Sequence, residues 1–138
     1  MLRSLTIAID FDGTIVENKY PKIGKPLLFA FETLKKFQEE GHRIILWTYR
    51  YGDKLDEAVA FCKSKGIEFY AVNKSYPEEN FDNIISRKIL ADIYIDDRNI
   101  GGMVGWGEIY QKLSTKKTPK IKVKKKKPGL FDRLKSKL

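Results

Sequence analysis

Leu5-Thr6-Ile7-Ala8-Ile9-Asp10-Phe11-Asp12-Gly13-Thr14 decides the reading of this chain. An apolar run of strand type ends in two carboxylates spaced two apart, followed by Gly-Thr. Alternate residues of a strand point to the same side, so Asp10 and Asp12 can both face one site just past the strand end. Gly13 supplies the backbone freedom for a sharp turn there. Carboxylates that close repel unless a cation or a shared proton lies between them. The pattern predicts a metal-assisted site in which one carboxylate attacks and the other moves a proton. The plainer alternative is a strand-end Asp followed by an ordinary Asp-Gly turn.

Outward from this segment, strand signals recur at 43–48, 67–72 and 92–96. Between the first three strands lie two helical patterns. Pro26 suits the first turn of a helix whose apolar positions Leu27, Phe31, Leu34 and Phe37 recur at three and four, with Gly41 closing it. A second helix is predicted from about Asp53 to Lys65, burying Leu55, Val59 and Cys62 and stopping at Gly66. Strand and helix alternating at these lengths predict a right-handed parallel α/β layer. Nearly continuous apolar strands predict a sheet covered on both faces. Residues 74–89 read as a polar loop, and 107–113 as a short closing helix.

In such sheets, ligands bind beyond the carboxyl ends of the strands, where strand order reverses. Asp10/Asp12, Thr48 and Asp96/Asp97 all fall at strand carboxyl ends, and this convergence is the strongest argument from the residues alone. The adjacent Asp96 and Asp97 have no core role, and a divalent cation is their natural compensation; a solvated acidic turn beside Arg98 is the alternative. The Thr48 hydroxyl could donate to a phosphoryl oxygen. Lys88 could reach the same edge and offset anionic charge, with Arg87 competing for that role and a surface lysine the commoner outcome. Arg50 and Tyr51, just past Thr48, are candidates for substrate contact. The Gly101–Gly107 stretch lacks the strand and long helix that a dinucleotide fingerprint needs, so it reads as a flexible loop. His42, the only histidine, sits at a helix end, where a cation is favoured over a catalytic role.

The chain has 138 residues, enough for one domain with its own core. A single cysteine excludes an internal disulfide and fits a reducing compartment, and no apolar run approaches a membrane span. A cytoplasmic location is therefore expected, and the Asn73-Lys74-Ser75 sequon is discounted. The net charge of +9 belongs to one end: residues 114–138 hold eleven Lys/Arg against Asp132, which leaves residues 1–113 near −1. Division into a catalytic domain, 1–113, and a basic, largely disordered tail, 114–138, follows. In the tail, Lys124–Lys127 precede Leu130, Phe131, Leu134 and Leu138 on one helical face. That pattern suits an anionic membrane surface, with nucleic acid or an acidic protein as the rival partner and a solubilising tail as the third option.

Taken together, Asp10-Phe11-Asp12-Gly13-Thr14, Thr48 after an apolar strand, a lysine before the last strand, and Asp96-Asp97 resemble the four motifs of the haloacid dehalogenase-like superfamily. The resemblance spans about residues 5–100, and Ile95-Asp96-Asp97-Arg98 is similar to the segment in its deoxyribonucleotidase members. It implies a Mg²⁺-dependent phosphatase on a Rossmann-like parallel sheet flanked by helices. Asp10 would be the nucleophile, passing through an aspartyl-phosphate, and Asp12 the general acid/base. Mg²⁺ would be held by Asp10, the Asp12 backbone carbonyl, and Asp96 or Asp97; Thr48 and Lys88 would bind the phosphoryl group. Members often carry a cap domain, but the intervals 15–25 and 73–87 are too short to build one. The site is therefore expected to be open to its phosphorylated substrate, or covered by a neighbouring subunit in an oligomer. Two alternatives remain: a nucleotide or nucleic-acid-end phosphatase, and a non-catalytic phosphate-binding module of the same fold.

Overall fold

The computed structural model describes residues 4–82 and 84–114. Four strands, β1 (Thr6–Ile9), β2 (Arg43–Leu46), β3 (Ala71–Val72) and β4 (Ile93–Ile95), form an all-parallel sheet in the order β3-β2-β1-β4. Three helices accompany them: α1 (Ala30–Glu39), α2 (Gly52–Ser64) and α3 (Trp106–Leu113). This is the α/β, Rossmann-like architecture expected from the sequence. Among the described residues no helix is long and apolar enough to cross a membrane. The basic tail expected beyond Ser114, with its amphipathic Leu130–Leu138 segment, lies outside the described residues.

Period-two alternation divides the sheet cleanly. Ile7, Ile9, Ile44, Leu46 and Ile95 face a core filled by Phe31, Leu34 and Phe37 of α1, Ala58 and Cys62 of α2, and Trp106 and Ile109 of α3. On the opposite face, Ala8, Ile45 and Ala71 pack under Ile89, from the β3–β4 connection. The helices thus gather on one face, whereas continuous apolar strands had suggested full cover on both. Handedness explains the arrangement. Moving from β1 to β2 to β3 keeps α1 and α2 on one side, and the return past β1 to β4 must cross on the other. That return, residues 73–92, holds no helix among its described residues.

Two elements start more than two residues from where the sequence reading put them, each for a visible reason. Pro26 does not open α1; it bridges Val16 in antiparallel fashion, and the Leu27 N–H donates to the Ile15 carbonyl at 2.8 Å. The helix begins only after Phe29, which takes a left-handed φ of 65°. The third strand is shorter than 67–72, because the Ile67 N–H turns back to the Cys62 carbonyl and closes α2. Ile67 is a core residue all the same.

His42 is structural. Its Nδ1 accepts the Leu5 N–H at 3.0 Å, and its ring meets Phe37 edge-on. Cys62 is fully buried, and burial pushes its thiol up to about 12, which keeps it an unreactive core residue.

Candidate functional site

Strand order reverses beside β1, so the crevice favoured for ligands opens where β1 and β4 end together. The Asp10 N–H extends the ladder by donating to the Ile95 carbonyl at 3.0 Å, which sets Asp10 next to Asp96. Beyond it the chain turns tightly: the Thr14 and Ile15 amides both donate to the Phe11 carbonyl, and the Gly13 N–H donates to the Val16 carbonyl. Gly13 takes a φ of 88°, and a Cβ there would run into the Asp97 carboxylate. Only glycine lets the two strand ends approach this closely.

Asp10, Asp96 and Asp97 each offer a carboxylate oxygen, and these atoms lie within 4.8 Å of one another. Thr14 stitches the group together. Its hydroxyl lies 2.9 Å from Asp10 Oδ2 and 3.1 Å from Asp97 Oδ1, and it accepts the Asp97 N–H at 3.0 Å. The Thr14 carbonyl in turn accepts from buried Trp106 Nε1 at 2.8 Å, so α3 braces the turn from behind. Burial pushes the Asp10 carboxyl up to about 7, with further upward pressure from Asp97 and Asp96 and relief from the Thr14 hydrogen bond. Three hard oxygen donors under mutual repulsion suit a hard divalent cation such as Mg²⁺.

Asp12 is not in this trio. Its carboxylate meets Arg50 in a two-pronged ion pair, with Nε to Oδ2 and Nη2 to Oδ1 both at 2.8 Å. Arg50 is 1% exposed. Its remaining N–H groups donate to the carbonyls of Pro21, Lys22 and Lys54 at 3.0–3.3 Å. The guanidinium also lies over both the Phe11 and the Tyr20 ring, 5.1 Å from each centroid. Its pKa is held above the ordinary value, first by the hydrogen bonds to Asp12. Arg50 therefore ties the 15–27 hairpin to the end of β2. That hairpin closes through the Glu17 N–H to the Lys25 carbonyl, and Gly24 packs against the Glu17 backbone too closely to admit a Cβ. Neither it nor the described part of the β3–β4 connection builds a cap domain.

The cavity above these groups has a volume of about 740 Å³. Asp10, Asp12 and Asp96 line it together with Thr48, Arg50 and Arg98 and the aromatic residues Tyr20, Trp47 and Tyr49. Thr48 takes its expected place: its N–H donates to Asn73 Oδ1 at 2.8 Å, and its hydroxyl oxygen accepts the Arg50 N–H at 3.1 Å. That leaves the Thr48 O–H free to donate outward. Lys88 does not line the cavity. It sits on the β3–β4 connection with Nζ 5.4 Å from the centroid of the Tyr94 ring, on the sheet face away from the helices. The cation at the cavity mouth is instead Arg98, exposed and with no carboxylate partner among the described residues. Its backbone N–H donates to Asp96 Oδ1 at 2.9 Å, which orients that carboxylate. Thr14 and the inward course of Arg50 were missed by sequence reasoning. The Thr that follows Asp-Gly was the available signal for the first; the second had none.

No protein-family model matches the chain, and no curated protein matches it. The solved structure of a conserved protein from Bacteroides thetaiotaomicron does, with a TM-score of 0.77 and 56% sequence identity. The match covers 84% of this chain and 94% of that one. At that identity and coverage the fold is shared, and the chain belongs to the same family as this conserved Bacteroides protein.

Proposed function

We propose that the protein is a Mg²⁺-dependent phosphomonoesterase of the haloacid dehalogenase-like type, with Asp10 as nucleophile. The observation that carries this reading is the convergence of Asp10, Asp96 and Asp97 at the strand-order reversal. These three residues would hold Mg²⁺, which when bound supplies positive charge to the phosphoryl oxygens.

The chain's own groups then divide the work. Thr48 donates its hydroxyl to a phosphoryl oxygen, and Arg98 receives the anion at the mouth. An Asp10 oxygen attacks phosphorus in line; the bond to the ester oxygen breaks, and the phosphoryl group rests on Asp10. Water then attacks phosphorus, releasing phosphate and restoring the Asp10 carboxylate. Asp12, with both oxygens gripped by Arg50, takes the proton from that water and passes it to the leaving oxygen of the next substrate.

Phosphate release from p-nitrophenyl phosphate, followed with Mg²⁺ and with EDTA, tests the proposal. Activity should require the cation and vanish in Asp10→Asn. Acid quenching of the wild type should trap one phosphoryl group on the protein. Undiminished turnover by Asp10→Asn would overturn the assignment.

A further inference from the structure

We infer that Arg50 is the positioning residue for proton transfer at this site: it does not receive the phosphate, but holds Asp12 where the leaving oxygen of the substrate takes its proton. The inference rests on the phosphatase reading and deepens it. Arg50 borders the same cavity as Asp10 and Asp12, a place where an arginine ordinarily serves as an anion receptor. Its hydrogen bonds exclude that role. A guanidinium carries five N–H donors, and every one of them is engaged inside the protein. Nε and one N–H of Nη2 go to the two Asp12 oxygens, and the other N–H of Nη2 goes to the Lys22 carbonyl. Nη1 divides its pair between the Pro21 and Lys54 carbonyls. A phosphoryl oxygen would have to displace one of these from a fully buried side chain.

The arrangement is set before any substrate arrives. The Arg50 N–H donates to the Thr48 hydroxyl oxygen at 3.1 Å, and the Arg50 carbonyl accepts from Asn73 Nδ2 at 3.5 Å. A carboxylate gripped at both oxygens cannot turn about its side-chain bonds without breaking both contacts. It offers about four lone-pair sites; Arg50 takes one on each oxygen and leaves one on each for a proton. As the phosphoryl group passes to Asp10, the ester P–O bond breaks, its electron pair stays on the leaving oxygen, and the Asp12 proton joins it there. A displacement of about 1 Å at such a group costs about 10²-fold in rate. The demand is greatest where the leaving group is a poor anion, so Arg50 governs the reach of the protein toward unactivated alkyl and phenyl phosphates.

The test uses the full chain with Mg²⁺, below the melting transition of each variant. It compares kcat/KM for p-nitrophenyl phosphate, whose leaving group departs readily as an anion, with that for phenyl phosphate, whose leaving group does not. Inhibition by inorganic phosphate reports binding separately. Arg50→Lys should lower kcat/KM for phenyl phosphate by about 10²-fold and for p-nitrophenyl phosphate by about tenfold or less. The inhibition constant of phosphate should stay within about twofold, and in an Asp12→Asn background Arg50→Lys should change kcat/KM by no more than about twofold. An equal loss on both substrates makes Arg50 a packing residue and overturns the inference. Weakened phosphate inhibition makes it an anion receptor, and a loss undiminished in the Asp12→Asn background means that it acts on something other than Asp12; either overturns the inference and leaves the phosphatase standing. Absence of phosphate release by the wild type overturns the phosphatase, and this inference with it.

Discussion

Arg50 and Asp12 are 38 residues apart in the chain, yet their side chains meet through two hydrogen bonds of 2.8 Å. The arginine side chain is wholly buried, and that of Asp12 is 14% exposed. Deleting one partner of such a pair strands the other charge, at a typical cost of about 3–5 kcal/mol. Arg50→Ala should lower unfolding stability by that order in a urea titration. Arg50→Lys should recover only part of it, because an ammonium cannot reproduce the planar fork or reach the three loop carbonyls together. A variant as stable as the wild type would show that the pair is incidental.

The pH dependence of stability should carry the imprint of Asp10. Its folded-state carboxyl is raised to about 7 from an ordinary value of 3.8. Between those values the folded protein holds a proton that the unfolded chain has lost, so stability is highest at the acid end and falls as pH rises through about 7. In EDTA, Asp10→Asn should therefore melt above the wild type at pH 8, with the difference shrinking toward pH 4. Added Mg²⁺ should raise the wild-type melting temperature more at pH 8 than at pH 5. The opposite trend would mean that the three carboxylates do not share a site.

Gly13 should tolerate no side chain. Gly13→Ala must accept both a left-handed backbone and a methyl group driven into Asp97, and strain of this kind costs about 1–3 kcal/mol. Gly13→Asn separates the two causes, since asparagine accepts the backbone but not the collision. Both variants should bind Mg²⁺ more weakly by calorimetry. Normal affinity in Gly13→Asn would assign the requirement to conformation alone.

Trp106→Phe should strip the Thr14 carbonyl of its donor. A buried acceptor left unpaired costs about 1–3 kcal/mol, measurable as a shift in the urea midpoint. Because Thr14 also contacts Asp10 and Asp97, the variant should lose Mg²⁺ affinity as well as stability. Loss of stability alone would confine Trp106 to the core.

The legible part of this molecule was the part written in short-range pattern. Nearly continuous apolar runs through Thr6–Ile9 and Arg43–Leu46 marked the central strands, and acidic residues after β1 and β4 marked the edge where they meet. Topology then brought Asp10 to Asp96 and Asp97, a consequence of parallel strands ending at one side. What stayed hidden depended on partners distant in sequence. Pro26 looked like a helix opener because nothing local reveals its pairing with Val16. Arg50 read as a candidate for substrate contact, because its burial against Asp12 and three loop carbonyls depends on partners that nothing local reveals. Lys88 was assigned to the phosphate by motif, but its connection crosses the far face of the sheet and lays it on Tyr94.

The sheet ends on one side in a two-residue strand, β3, and on the other in a three-residue strand, β4. Long exposed edges invite pairing with a second chain and are a common route to fibrils. Edges this brief offer too few unsatisfied amides and carbonyls in register to template such growth. The fold keeps its apolar β1 and β2 at the centre and shows the outside only stubs, a built-in guard against aggregation during folding.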